Sequence, residues 1–235
     1  MLIKLWKQLL SIIKLTREKS TSVKEISDDC LVSENVVEKV LKNLADNGEV
    51  IFMNGEVMTT TQQRMGLAVL ALKRGADAER VCKYLSWREF EDMAQIALDA
   101  NGFRTKKHFH FKNSTRRYEI DIIGLREPLI LAVDCKHWKK SWQRSATKRI
   151  ATIQLERTEA LRNNLDQMIS KFGIKRWKSA RLIPLILTLS ETPIQHYKKV
   201  PIVTVHRFQN FLTELPSHID NLAVIDIDIK SHAQV

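Results

Sequence analysis

The first sixty residues alternate apolar and polar positions with helical spacing, and then with the short spacing of a hairpin. The predicted elements are helices at 2–15, 22–30 and 34–47 and strands near 49–53 and 56–60. Ser33 is the expected N-cap of the third helix, and Gly48 is expected to close it. Asn54-Gly55 lies between the two strands, where a type I′ turn needs positive φ at both positions. The pattern therefore predicts three helices followed by a hairpin.

This order of elements is the winged-helix pattern, so we expect 1–61 to form a winged-helix-like domain. Two further helices are predicted at 61–74 and 77–85, and we interpret 62–86 as a helical linker. The first of these helices is apolar on all sides from Gly66 to Leu72, which predicts that it is buried.

Both helices and strands are predicted beyond residue 87, beginning in the order α-β-β-β-α-β. The predicted elements are a helix at 88–101, strands near 103–111, 118–124 and 129–135, a long helix from about 144 to 172, strands near 181–188 and 201–205, a helix at 207–215 and a last strand near 222–229. Gly102 and Gly173 are the expected helix ends. The order predicts an α/β fold for 87–235, with a mixed sheet flanked by helices.

The net charge of +11 is distributed unevenly. Residues 1–61 carry a net charge of −1, so the positive charge lies in the rest of the chain. Two stretches without acids, Arg104 to Arg117 and Lys136 to Arg149, hold six basic residues each. Basic runs are usually solvated surface, but a pair of them is also typical of a polyanion-binding protein.

The 3 cysteines form no CxxC pair, which indicates neither a disulfide framework nor a thiolate zinc site. Lys4, Lys7 and Lys14 interrupt the apolar N-terminus, so we expect neither a signal peptide nor a membrane span. No GxxxxGK[ST] motif is present, so no nucleotide cofactor is expected. We expect a cytoplasmic protein.

Two carboxylates interrupt neighbouring apolar strands. Asp134 follows Leu-Ile-Leu-Ala-Val, and Asp121 lies within the segment from Tyr118 to Gly124. Carboxylates in such strands are costly unless they are paired or bind a metal. Lys136 shares a strand face with Asp134, because strand side chains alternate. The pattern predicts a Mg²⁺ site with a lysine beside it.

These residues resemble the PD-(D/E)xK nuclease superfamily, whose fold is that of restriction endonucleases. Asp121 is followed on the next strand by Asp134-Cys135-Lys136, and Phe90-Glu91 opens a helix that ends at Gly102-Phe103. That helix is similar to the start of Mrr-like restriction endonucleases. The core also resembles archaeal Holliday junction resolvases, and its combination with a winged helix resembles archaeal proteins of this fold.

The resemblance implies a Mg²⁺-dependent endonuclease acting on DNA, with Mn²⁺ as a substitute. It implies the catalytic residues Glu91, Asp121, Asp134 and Lys136. Metal ligands would come from the first three of these and from the backbone carbonyl of Cys135. Mrr-like enzymes often have Gln where this chain has Asp134, and RecB-type nucleases have Gln-x-x-x-Tyr where Gln154 here precedes Thr158. Methyl-directed cleavage and a motor-coupled exonuclease are therefore not implied.

The expected nucleic-acid contacts come from the two basic runs: Lys106, Lys107, His108, His110, Lys112, Arg116, Arg117, His137, Lys139, Lys140, Arg144 and Lys148. His108 and His110 also have the His-x-His spacing of a zinc site, but the lysines beside them favour phosphate contact. Trp138 and Trp142 are interpreted either as core residues or as base-stacking residues.

Other interpretations stay open at this point. Asp134 and Lys136 also fit a structural salt bridge, and Glu91 also fits a solvent-facing helix acid. Asp228-Ile229-Lys230 has the same spacing as the predicted active site, but an edge strand at the chain end is the preferred interpretation.

The predicted function has two alternatives, a non-catalytic nucleic-acid-binding regulator and a scaffold subunit. The third helix, at 34–47, is net acidic, which favours partner docking or a homodimer over DNA reading.

Overall fold

The computed structural model describes residues 5–113, 116–138 and 142–229. The chain divides into two compact units, Met1–Met93 and Ala94–Val235. The domain boundaries predicted from the sequence, at residues 61 and 86, stay predictions. No helix in the described ranges is long and apolar enough to cross a membrane.

The first unit contains helices and a small antiparallel sheet. Its elements are α1 (Leu5–Leu15), β1 (Thr21–Ser22), α2 (Val23–Cys30), α3 (Glu34–Asp46), β2 (Ile51–Met53), β3 (Glu56–Met58), α4 (Thr61–Lys73), α5 (Ala78–Tyr84) and the start of α6 (Trp87–Ala100). The three strands are ordered β1-β3-β2. The hairpin turn has positive φ at Asn54 and Gly55, as predicted. Both α4 and α5 pack against α1 in this unit.

Local chemistry fixes the helix ends of the first unit. A capping box joins Ser22 and Glu25 at α2, because each residue bonds the other's backbone N–H. Ser33 occupies the N-cap position of α3, as predicted, although its hydroxyl makes no capping hydrogen bond. Gly48 follows α3 with a φ of 72°, as expected of a residue that closes a helix.

A buried ion pair organises the first unit. The Arg64 Nε atom lies 2.7 Å from Glu89 Oε1, and both side chains are almost fully buried. Arg64 also donates to the carbonyl oxygens of Ile13 and Tyr84, and the Ser86 N–H donates to Glu89. These additional bonds compensate the desolvation of the two charges.

The second unit is built on a mixed sheet that begins after α6. Its elements are β4 (Arg104–Lys112), β5 (Arg117–Arg126), β6 (Leu129–Lys136), α7 (Arg144–Arg162), α8 (Leu165–Phe172), β7 (Ser179–Thr188), β8 (His196–Tyr197), β9 (Val200–Thr204), α9 (Val205–His218), a 3₁₀ turn (Ile219–Asn221) and β10 (Ile225–Asp228). The strand order is β4-β5-β6-β7-β9-β8, and β10 also pairs with β7. The strands from β4 to β6 are antiparallel, whereas β6, β7 and β9 are parallel.

Helices cover both faces of this sheet. On one face, Leu161, Leu165 and Phe172 of α7 and α8 pack on apolar strand residues. On the other face, Gly124 leaves room for Leu98 of α6, which an added Cβ would meet at 3.4 Å. The predicted α/β fold, a mixed sheet flanked by helices, is confirmed.

The prediction of one helix from about 144 to 172 is wrong, because the segment is divided between α7 and α8. The break falls at Asn163 and Asn164, and the Asn164 side chain donates to the Ala160 carbonyl at 2.8 Å. Asparagine side chains compete in this way with helical backbone bonds. Gly173 closes α8 in the left-handed conformation, as predicted.

Candidate functional site

The two predicted strand acids meet at one end of the large sheet. The β5–β6 pairing runs to Ile122 opposite Val133, and one further step in this register brings Asp121 opposite Asp134. Both side chains are buried, with exposed fractions of 7% and 2% respectively. Opposite residues of an antiparallel pair lie on the same face of a sheet, so the two carboxylates share one side.

Asp121 is fixed by a backbone donor of the neighbouring strand. Its Oδ2 atom accepts a hydrogen bond from the Cys135 N–H at 2.7 Å. This bond lies just beyond the last β5–β6 residue pair. The Asp121 carboxylate there accepts from the Cys135 N–H, which lies outside the paired residues of the two strands. The carbonyl of a strand residue points to the same side as its N–H, so the Cys135 carbonyl is directed towards β5 as well.

Asp134 lies between two cations of the chain. Lys136 Nζ is 2.8 Å from Asp134 Oδ2, and Arg157 Nη1 is 2.8 Å from Oδ1. Lys136 reaches the carboxylate because residues two apart on a strand share a face. Arg157 comes from α7, which packs on the same side of the sheet. The Lys136 and Arg157 side chains keep exposed fractions of 22% and 29%, so the cluster borders solvent.

These four side chains form one electrostatic cluster. Burial raises the pKa of Asp121 above its ordinary value, and the negative charge of Asp134 raises it further. The Cys135 N–H, Lys136 and Arg157 act in the opposite direction without cancelling the increase. Two buried acids side by side repel each other when both are ionised, and a bound cation would reduce this repulsion.

The donor set fits a small hard cation. Asp121 and Asp134 provide carboxylate oxygens, and the Cys135 carbonyl adds a third oxygen on the same side. Mg²⁺ is usually held by one or two carboxylates with waters and phosphate oxygens completing its shell. Within the described ranges, His, Cys, Asp and Glu side chains form no group of three that could hold a metal. The carboxylate ligands that β5 and β6 provide for a metal are therefore Asp121 and Asp134.

Glu91, the predicted helix acid, lies on α6 in the first unit and is fully buried. The alternative of a solvent-facing helix acid is therefore wrong. Its participation in the cluster stays a prediction. Asp228, the acid of the second Asp-x-Lys pair, is exposed on β10 and lies opposite Ser179, at the far end of β7 from Thr188. Its partner Lys230 lies outside the described residues.

Several residues of the first basic run surround a cavity of about 610 Å³ at the same end of the sheet. Lys112 ends β4 and Arg117 begins β5, and both line this cavity together with His110. Lys171 of α8 contributes a further cation, and Phe111 and Tyr118 contribute aromatic surface. The cavity is therefore lined mainly by cations and rings, which suits phosphate and base groups.

The other predicted contacts of the first run have varied surroundings. Lys106 and Lys107 are half-buried on β4. His108 and His110 are exposed and flank Glu119, at 3.6 and 3.9 Å from its Oε1 atom. The Arg116 guanidinium lies over the Tyr118 ring, 5.4 Å from its centroid.

The second basic run begins at the candidate site itself. His137 is half-buried, and Arg144 is exposed at the start of α7. Lys148 lies over the Tyr197 ring, 5.4 Å from its centroid. The predicted contacts Lys139 and Lys140 lie outside the described residues.

The two tryptophans of this run have different environments. Trp142 is buried and packs with Ile150 and Ala151, so for this residue the core interpretation is confirmed. Trp138 is 44% exposed and stacks on Trp142, with ring centroids 4.5 Å apart.

Sequence reasoning missed two basic residues, Arg157 and Lys171. Arg157 belongs to a helix whose buried residues include Gln154, Thr158 and Leu161, so it borders the stripe that faces the sheet. Its position beside the buried residues of the helix could have indicated its role, because a charged side chain at the edge of a buried surface needs a partner of opposite charge. Lys171 is far from either basic run in sequence, so only the fold brings it to the cavity.

Comparison with known proteins gives a family match in this part of the chain. Residues 82–161 match the family model described as restriction endonuclease. The matched span contains the strands of Asp121, Asp134 and Lys136 and the helix as far as Arg157. The predicted resemblance to restriction endonucleases is therefore confirmed for residues 82–161, whereas the resemblances to Holliday junction resolvases and to archaeal proteins with a winged helix stay predictions.

Individual relatives add no named activity. An uncharacterized protein of Archaeoglobus fulgidus is 29% identical over 132 residues, which cover 56% of this chain and 92% of that protein. The crystal structure of a protein of unknown function is 19% identical, with a TM-score of 0.33 over 48% of this chain and 55% of that one. A crystal structure from Vibrio cholerae is 11% identical, with a TM-score of 0.37 over 93% of this chain and 52% of that one. This chain thus spans about half the length of each solved protein.

Proposed function

We propose that this protein is a Mg²⁺-dependent endonuclease that hydrolyses phosphodiester bonds in DNA. The observation that carries the proposal is the buried pair Asp121 and Asp134 with Lys136 on the same sheet end, inside the span that matches restriction endonucleases. Restriction endonucleases act on DNA, and the cationic cavity beside the acids suits a polyanion.

Each residue of the cluster has a separate task in this proposal. Asp121 and Asp134 would hold the metal with the Cys135 carbonyl, and Glu91 would support them. Mg²⁺ or Mn²⁺, when bound, stabilises charge that develops on the phosphate and lowers the pKa of a coordinated water. Lys136 orients the attacking water and offsets the negative charge of the phosphate. Asp121 is kept in place by the Cys135 N–H.

Arg157 is a positioning residue in the same proposal. It neutralises Asp134 while no metal is bound, so that two buried acids coexist. Its guanidinium is partly exposed and has five donors, so it could also donate to a phosphate oxygen beside Asp134.

Residues 1–61 contribute little to DNA affinity in this proposal and act as a winged-helix-like module for partner docking or for a homodimer. The helix α3 carries three acids, and Lys42 is paired with Glu38 at 2.8 Å. Phosphate contacts dominate non-specific DNA affinity, so a helix with this charge is a weak DNA reader.

A nuclease assay tests the proposal. Labelled duplex, flap, four-way junction and single-stranded DNA are incubated with the protein in Mg²⁺, Mn²⁺ or EDTA, beside Asp134→Asn protein purified in parallel. Cleavage by the wild type in either metal, with none in EDTA and none by the variant, is expected. Binding without cleavage of any substrate in either metal would favour the non-catalytic regulator instead.

A further inference from the structure

Trp138 has a solvent-exposed indole ring that stacks on the buried Trp142. Its ring stacks on Trp142 at a centroid distance of 4.5 Å and an interplanar angle of 21°. Trp142 is itself fixed in the apolar cluster with Ile150 and Ala151. Because Trp138 is 44% exposed, one indole face contacts Trp142 while a large part of the side chain meets solvent. The arrangement holds the exposed indole in a defined position.

Trp138 lies close along the chain to the candidate catalytic residues. Trp138 follows Lys136 by two residues, which places the two Cα atoms within about 7 Å of each other. Lys136 in turn contacts Asp134. We therefore expect a base that stacks on Trp138 to belong to a nucleotide near the phosphate that Lys136 would contact.

The order of features across the sheet end gives a path for one strand of nucleic acid. The cationic cavity belongs to β4, β5 and α8, the acids belong to β5 and β6, and Trp138 follows β6. In the strand order β4-β5-β6, the cavity lies at the β4 side and Trp138 follows the end of β6. The two acids therefore lie between the cavity and Trp138. A strand crossing this end meets cations, then the acids, then an aromatic face.

We propose that Trp138 stacks on an unpaired base next to the bond to be cut, so that the substrate class is DNA with unpaired nucleotides. A base inside a duplex has both faces covered by its neighbours, whereas a base in a single strand, flap or junction presents a free face. Aromatic side chains bind such bases with little dependence on sequence. This inference rests on the proposed nuclease function and specifies its substrate.

Binding without metal tests the inference separately from cleavage. Oligonucleotides carrying 2-aminopurine, either single-stranded or in a full duplex, are titrated in EDTA with wild type, Trp138→Ala, Trp138→Phe and Trp87→Ala. Trp87 is a matched control, because it is exposed but lies in the first unit. Thermal melting of each variant shows whether it is folded.

We expect the wild type and Trp138→Phe to quench the 2-aminopurine fluorescence of single-stranded DNA, because both present an aromatic ring. Trp138→Ala should lose the quench and bind the single strand at least about 5-fold more weakly, with duplex affinity unchanged. Trp87→Ala should match the wild type. Unchanged single-strand affinity in Trp138→Ala, or equal loss for single strand and duplex, would overturn the inference. If the Trp138 effect holds but wild type cuts nothing in Mg²⁺ or Mn²⁺, the nuclease proposal alone fails.

Discussion

Arg157 and Asp134 form an ion pair across the interface between α7 and the sheet, with 2.8 Å between Nη1 and Oδ1. Lys136 occupies the other carboxylate oxygen at the same distance. Asp134 is thus neutralised twice by side chains of its own chain. A metal that binds through this carboxylate must compete with at least one of these cations, which couples metal binding to the position of Arg157.

Replacing Arg157 with alanine should therefore destabilise the metal-free protein and strengthen its Mg²⁺ binding. Loss of a partner to a buried carboxylate costs about 1–3 kcal/mol, which lowers Tm by a few degrees in EDTA. Mg²⁺ should recover most of the loss, because it supplies the missing positive charge. Thermal melting with and without Mg²⁺, together with calorimetric titration of the metal, measures both effects.

Arg162→Ala is the matched control for this substitution, because Arg162 is exposed on the same helix. It should leave melting and metal affinity unchanged. Weaker Mg²⁺ binding in Arg157→Ala would show that the guanidinium supports the metal instead of competing with it.

Asp121→Asn should stabilise the metal-free protein at neutral pH. Burial and Asp134 raise the pKa of Asp121, so the folded state favours the protonated acid more than the unfolded chain does. The wild type therefore loses stability as pH rises through the raised pKa, whereas asparagine resembles the protonated form throughout. We expect Tm to rise by about 2–4 °C at pH 8, with the gain shrinking towards pH 4.

Melting curves between pH 4 and pH 8 in EDTA check this dependence. In Mg²⁺ the order should reverse, because only the wild type retains both carboxylates for the metal. A pH-independent difference between the two proteins would show that the repulsion between Asp121 and Asp134 does not limit stability.

Neutralising the cationic cavity should reduce the salt dependence of DNA binding. Lys112→Ala, Arg117→Ala and Lys171→Ala should each lower the slope of log K against log salt by about 0.9 for duplex DNA, because each removes one phosphate contact. Lys178→Ala is the control, since Lys178 is exposed beside the start of β7, at the other end of the sheet. Equal slopes in all four variants would show that the residues of this cavity do not contact DNA phosphates.

Substitutions in α3 should have little effect on DNA binding. Lys39→Ala with Lys42→Ala removes both lysines of a helix that also carries Glu34, Glu38 and Asp46. Because few phosphate contacts are expected there, affinity should change by no more than about 2-fold. Filter binding of duplex and single-stranded DNA measures this. A loss as large as that in Lys112→Ala would show that α3 reads DNA after all.

Much of the fold was predictable because it depends on local patterns. Asp121 and Asp134 each interrupt an apolar strand, and alternation alone places Lys136 beside Asp134. The turn at Asn54-Gly55 follows from the φ angles that those residues tolerate.

The remaining features depend on contacts between distant segments. Arg157 reaches Asp134 from a helix 23 residues later, and Lys171 joins the cavity through α8. The division between α7 and α8 depends on a side-chain bond of Asn164, which helical periodicity does not reveal. The burial of Glu91 likewise follows from packing and not from the polar residues around it in sequence.

We propose that catalysis takes place at the end of the sheet that holds Asp134 and Lys136. The most direct test compares the cleavage rates of Asp134→Ala, Lys136→Ala and Asp228→Ala in Mg²⁺, with DNA binding measured in parallel. We expect the first two to lose at least about 10²-fold to 10³-fold in rate while binding DNA, because they remove charges that act in the transition state. Asp228→Ala should cut at the wild-type rate. Wild-type cleavage by Asp134→Ala together with loss of cleavage in Asp228→Ala would show that the active site lies at Asp228 and not at Asp134.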